Sequence, residues 1–154
     1  MASREDLLNA ILTRIQLMSF DQPINGQITW VTTSRRLRLW SDVPSDSQPA
    51  AFLVEHEEHD EWRNLGAERR RLNPRIWCYF RTDDPTIWGG SLINVMLEAF
   101  EAQFGMSVQQ NFSTGQVTLD GQAYFVRIEG RVFKDPGDID NQGLLIVPLV
   151  VEMP

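Results

Sequence analysis

The sequence predicts an α+β domain: a mostly antiparallel β-sheet with two main helices packed on one face. Three observations carry this. Two stretches, near the N-terminus and after residue 90, carry apolar residues at helical spacing. Several stretches alternate in strand fashion, and the last, Leu144 to Glu152, is apolar almost throughout. The chain has 154 residues with 42% hydrophobic and 23% charged residues, which suits one ordinary globular domain, here taken as residues 1–154.

The first helix is expected over roughly Arg4 to Met18. Ser3 is placed to cap it, and Glu5 and Asp6 fall in the first turn, where the helix dipole favours acids. Leu7, Leu8, Ile11, Leu12 and Ile15 make one apolar stripe. Asp21 to Gln27, with Pro23 and Gly26, is read as a loop. Ser34 to Trp40 fits either a short helix or an extended arm, and Asp42 to Pro49 is a turn-rich connection. Ala50 to His56 alternates as a strand, Phe52, Val54 and His56 on one face and Ala51, Leu53 and Glu55 on the other.

His56 to Arg71 is highly charged and is expected to project as a loop or extended hairpin around residues 56–73. Arg75 to Arg81 is a second strand, and Asp83 to Gly90 a loop. Ser91 is the expected cap of a second helix, Leu92 to Phe104, ended by Gly105. Its core face is Leu92, Val95, Met96, Ala99 and Phe100, with Asn94, Glu98 and Glu101 in water. Asp120-Gly121 signals a two-residue hairpin between a short strand ending at Leu119 and a long one from Gln122 to Phe133. On that long strand Tyr124, Val126, Ile128 and Val132 share a face, opposite Phe125, Arg127, Glu129, Arg131 and Phe133. Lys134 to Gly143 reads as an acidic loop. The closing apolar strand should be central or covered on both faces, with Pro148 demanding a free or bulged edge.

The function classes narrow by chemistry. A single cysteine, Cys78, allows no internal disulfide, and on an apolar strand face with Ile76 and Phe80 it reads as a small core residue. No signal peptide begins the sequence and no apolar run reaches the ~20 residues of a membrane span, so cytoplasmic synthesis and no membrane partner are expected. The formal net charge of −7 argues against tight DNA binding and suits a surface along which DNA slides without sticking.

Glu55-His56-Glu57-Glu58-His59-Asp60 offers metal-ligand types, but its histidines stand three apart, not four, and on a strand would point to opposite faces. Asp138 to Gly143 resembles the start of a calcium loop, yet the closing position holds Leu149 instead of a glutamate. Gly89-Gly90-Ser91 could present N–H groups to an anion, but no Walker lysine follows, and loop flexibility accounts for it. Asn111-Phe112-Ser113 is a formal glycosylation sequon. No catalytic residue, cofactor or metal is expected, and the chain is read as no enzyme. A metal-dependent hydrolase using His56, His59 and neighbouring carboxylates is the reading from another class.

Five tryptophans, several at expected loops or strand ends, point instead to protein contacts. Trp62 stands among charges. With the cluster Arg69, Arg70 and Arg71 on one copy, and the acidic Asp135, Asp138 and Asp140 on the next, it is a candidate subunit interface. Such a heterologous contact suits a ring.

The order of these signals resembles the tail terminator (tail completion) family of long-tailed bacteriophages. The pieces are the helix Glu5 to Gln16, then Arg38-Leu39-Trp40-Ser41-Asp42-Val43-Pro44 leading to Gln48-Pro49-Ala50-Ala51-Phe52-Leu53-Val54. Trp77-Cys78-Tyr79-Phe80 and Leu92-Ile93-Asn94 follow, then Leu119-Asp120-Gly121-Gln122, Ile128-Glu129-Gly130 and Ile146-Val147-Pro148-Leu149. The resemblance implies a structural protein of the virion, assembled in the host cytoplasm as a hexameric ring at the head-proximal end of the tail. That ring would cap the tail tube protein, stop its polymerisation, and offer a docking face to the neck or connector protein while DNA passes through the lumen. A neck or head-completion protein is the neighbouring alternative. The family has no universal motif, so no functional residue is carried across, and the Trp62 loop has no match in it.

Overall fold

The computed structural model describes residues 2–22, 26–62, 68–82, 88–104 and 118–153. Helix α1 runs Arg4–Gln16. The Ser3 hydroxyl accepts from the Asp6 N–H at 3.1 Å while the Asp6 carboxylate accepts from the Ser3 N–H at 2.8 Å, a reciprocal capping box. Its stripe of Leu7, Leu8, Ile11 and Ile15 is buried. Where a loop was expected, β1 (Ser19–Gln22) and β2 (Gly26–Thr29) pair as an antiparallel two-stranded sheet. Phe20 anchors it by packing on Trp30, whose ring in turn meets Phe100.

The main sheet holds β3 (Thr32–Ser34), β4 (Ala50–Trp62), β5 (Glu68–Arg81), β8 (Gln142–Glu152) and β6 (Phe125–Ile128) in that order, with β7 (Phe133–Asp135) also on β8. Among the described residues only the β3–β4 pairing is parallel. Between β3 and β4 the chain is an extended arm that ends in two short 3₁₀ turns, Trp40–Asp42 and Ser45–Ser47.

Alternation sets the two faces. Ala51, Leu53, Ile76, Cys78, Phe80, Leu145, Val147, Leu149 and Val151 point to the main core, where both helices lie. Ala50, Phe52 and Tyr79 point to the opposite face, half covered by Trp40 and Val43. The Tyr79 hydroxyl donates to the Arg38 carbonyl at 2.6 Å and the Trp40 indole to Gly143 at 3.3 Å, which tie the extended arm down. Strand β8 is central, paired to β5 on one side and to β6 and β7 on the other.

Helix α2 runs Gly89–Phe104, so Ser91 lies inside its first turn and is no cap. The Gly89-Gly90 pair is helical as well: a side chain at Gly89 would collide with the Pro136 carbonyl oxygen at 1.8 Å. Close packing, and not loop flexibility, is what this glycine provides. The expected wet face of Asn94, Glu98 and Glu101 is exposed. Gly105 and the sequon at Asn111 lie outside the described residues.

The expected Asp120-Gly121 turn is present, the Gln122 N–H donating to the Leu119 carbonyl at 3.3 Å, and a second turn overlaps it one residue earlier. In that second turn the Gly121 N–H returns to the Thr118 carbonyl, so Leu119, Asp120 and Gly121 take φ of +50°, +58° and +88° in succession. Leu119 is therefore a turn residue and not a strand end, and it anchors the turn by burial at 1% exposure. The expected long strand is broken into β6 and β7 around Gly130, which has φ +122° and approaches Pro148. Pro148 accepts from the Glu129 N–H at its carbonyl and has no N–H to return, so the ladder bulges there. Tyr124 does not join the buried face of Val126; it is 63% exposed. The expected acidic loop from Lys134 is partly β7.

Candidate functional site

The charged segment after residue 56 is the far half of a long β-hairpin. Strands β4 and β5 remain paired up to Trp62↔Glu68, with a bulge between Val54 and Glu57; residues 63–67 of the tip lie outside the described residues. Apolar alternation on β4 stops at Val54; beyond it Leu72 on β5 still reaches the core, and charged contacts join the backbone ladder in holding the hairpin. On the helix side, the Arg4 guanidinium from α1 donates to Glu58 at 2.8 Å, and Asp60 faces Arg70 across the strands. Arg35 bridges Glu5 at 2.6 Å and Glu55 at 3.6 Å, which fixes the base of the arm to the first turn of α1. These partners hold the Glu5 and Glu58 carboxyls below their usual range, chiefly through the hydrogen bonds from Arg35 and Arg4.

The other face of the arm carries a second cluster. Glu152, with only 12% of its side chain exposed, receives Arg69 on both carboxylate oxygens and lies 3.8 Å from Arg71. Arg71 and Arg127 both lie over the Phe125 ring, at 6.0 and 4.5 Å from its centroid, and Arg127 also pairs with Glu129 at 2.9 Å. Cation–π and ion-pair contacts thus tie β5, β6 and the end of β8 together.

The sequence-derived interface residues fall at two poles. Trp62 is 73% exposed near the tip of the arm, with Arg69, Arg70 and Arg71 behind it on β5. Asp135, Asp138 and Asp140 lie at the other end of β8, about 35 Å away along an 11-residue strand. Asp135 and Asp140 accept from the Gly137 and Gln142 N–H groups, both at 3.0 Å, and so shape the surface turn before β8. The structure therefore does not bring the two patches together within one chain. It also occupies Arg69 and Arg71 with Glu152, a partner that sequence reasoning missed because it is 83 residues distant from Arg69.

The acidic pole has an apolar component that was also missed. Ile139 is fully exposed, and Trp88 and Leu39 are 77% and 70% exposed. They lie towards this end on different faces of the sheet: Trp88 precedes Gly89, which packs on Pro136 on the helix side, and Leu39 precedes Trp40, which bonds to Gly143 on the opposite side. Isolated in sequence, these residues give no pattern; the fold brings them towards one end of the sheet.

His56 lies in the β4 bulge and His59 opposite Arg71, and no group of three His, Cys, Asp or Glu among the described residues gathers as metal ligands would. Cys78 is fully buried, and burial pushes its thiol well above the ordinary range. No helix among the described residues is long and apolar enough to cross a membrane. No family profile matches the sequence, and no curated protein matches it.

Proposed function

We propose that this chain is a virion assembly protein, the tail terminator of a long-tailed phage. The ordered set of sequence signals resembles that family, and the observation that carries the reading is the two-pole surface. One end of the sheet extends as a charged arm that carries the exposed Trp62; the other exposes Leu39, Trp88 and Ile139 on its two sides, near three aspartates. Exposed aromatics and large aliphatics at separate places suit contacts with different proteins. A ring subunit between a tail tube and a neck has that requirement, with one pole for each partner. The net charge of −7 leaves a conduit along which DNA passes without being held. The role asks for no catalytic group.

Labelling of intact particles with an antibody to this chain tests the assignment. Label at the head–tail joint is the expected result. Label along the tube or at its distal tip would contradict it.

A further inference from the structure

Two arginines on the face away from the helices lack a counter-charge. Arg75 on β5 pairs with Val54 and Pro148, and alternation from the core residue Ile76 turns it outward. Arg131 follows Gly130, which approaches Pro148, and alternation from Val132, which packs on the core, turns it to the same face. Both line one cavity of about 270 Å³ over Pro148, together with Glu57 and Glu129. Those acids have other partners: Glu129 pairs with Arg127 at 2.9 Å, and Glu57 lies 3.5 Å from His56. Neither Arg75 nor Arg131 has a hydrogen bond, ion pair or ring contact among the described residues.

A matching surface lies before β8. The turn of Asp138, Ile139 and Asp140 is closed by the Asn141 N–H on the Gly137 carbonyl at 2.9 Å. Thr82, just past β5, clamps its base: the hydroxyl donates to the Gly137 carbonyl at 3.0 Å and the N–H to the Asn141 carbonyl at 3.3 Å. The tip is thus preorganised, and it holds out a fully exposed Ile139 between two exposed aspartates. The Asp138 carboxylate has no partner among the described residues.

We propose that the Asp138-Ile139-Asp140 tip of one copy docks into the Arg75–Arg131 cavity of the next. The inference rests on the reading of this chain as a ring-forming subunit and names the contact between neighbours. Ile139 covers Pro148 and the exposed Phe133, which follows Arg131 on the same face, while the flanking aspartates meet the two guanidinium groups. One copy cannot fill its own cavity, since the tip adjoins Gln142 and the cavity Pro148, about 20 Å farther along β8. The contact joins two different patches and is heterologous, the kind that a ring uses. The acidic turn thus meets Arg75 and Arg131, and not Arg69 and Arg71, which Glu152 already engages.

Sedimentation velocity over a concentration series tests the contact, using wild type, R131E, D138R, the double variant R131E/D138R and an equal mixture of the two single variants. Both positions are exposed, and circular dichroism confirms that each variant is folded. The wild type is expected to self-associate, and each single variant to do so roughly tenfold more weakly, because like charges then meet. The double variant recovers association, because its charges are exchanged, and so does the mixture, whose alternating copies match at every junction. A loss in R131E with D138R unaffected would overturn the choice of occupant and point to another anion, such as DNA phosphate. Single variants that both associate as the wild type does, or a wild type that stays monomeric at millimolar concentration, would overturn the contact itself. Antibody labelling of particles decides the place in the tail separately, so the two readings fail independently.

Discussion

Glu152, near the end of β8, grips Arg69 on β5 through both of its oxygens and lies 3.8 Å from Arg71. The arginine cluster that sequence suggests as an interface is thus first of all the anchor of the β4–β5 arm. Replacing Glu152 with Gln leaves two half-buried guanidinium groups without their carboxylate, at a cost of about 2 kcal/mol. The arm should loosen locally, so hydrogen exchange in residues 57–62 and 69–72 should accelerate more than in β8. Charge reversal of Arg69 and Arg71 would likewise act on the arm before it acts on any partner, contrary to what composition alone suggests. Unchanged exchange in the Glu152→Gln variant would show that the cluster is a passive surface feature.

The two glycines that open α2 make opposite predictions. Alanine normally stabilises a helix over glycine by about 1 kcal/mol. At Gly90 nothing lies within 4 Å of the added carbon, so Gly90→Ala should raise the melting temperature. At Gly89 the added carbon meets the Pro136 carbonyl, which is backbone and cannot swing away. Gly89→Ala should destabilise by about 2–3 kcal/mol. Paired thermal melts of the two variants check both signs.

Three carboxylates tie α1 to its surroundings, and all have lowered pKa values. Glu5 is held down by Arg35, Asp6 by the Ser3 cap and Glu58 by Arg4. A depressed folded pKa contributes stability that is present above the unfolded value, near 4, and lost as pH falls through the folded value. Stability should therefore hold from pH 7 to about 5 and decline below about 4. Because these groups are exposed, the decline should be shallower in 1 M salt. An Arg4→Ala, Arg35→Ala variant should lose less between pH 7 and pH 3 than the wild type in chemical denaturation.

Cys78 faces the core between Ile76 and Phe80, and burial suppresses its thiolate. A thiol reagent should modify it only as fast as the protein unfolds, so native protein should remain unlabelled until denaturant is added. Rapid labelling of the native state would contradict the packing described for β5.

Much of the fold is legible in the sequence because its signals are local. The capping box at Ser3 and Asp6, the stripe of α1 and the unbroken apolar run of β8 each follow from residues within a few positions of one another. Pro148 announced a bulge, and the break between β6 and β7 is that bulge. The errors arose where tertiary packing overrides local preference. Asp120-Gly121 gives the turn it signals, but Leu119 before it is a buried residue of an overlapping turn and not the end of a strand. Gly89 reads as a loop glycine until Pro136 is seen against it. At the surface, Trp62 stood out because charges surround it in sequence. Glu152 and the apolar pole at Ile139 did not, since their neighbours come from distant strands.

The central proposal is that this chain stops tail growth, and electron microscopy of a lysate from the parent phage with this gene disrupted tests it most directly. Headless tails of uncontrolled length are the predicted result. Tails of normal length lying beside full, unattached heads would contradict it and assign the chain to head completion at the neck.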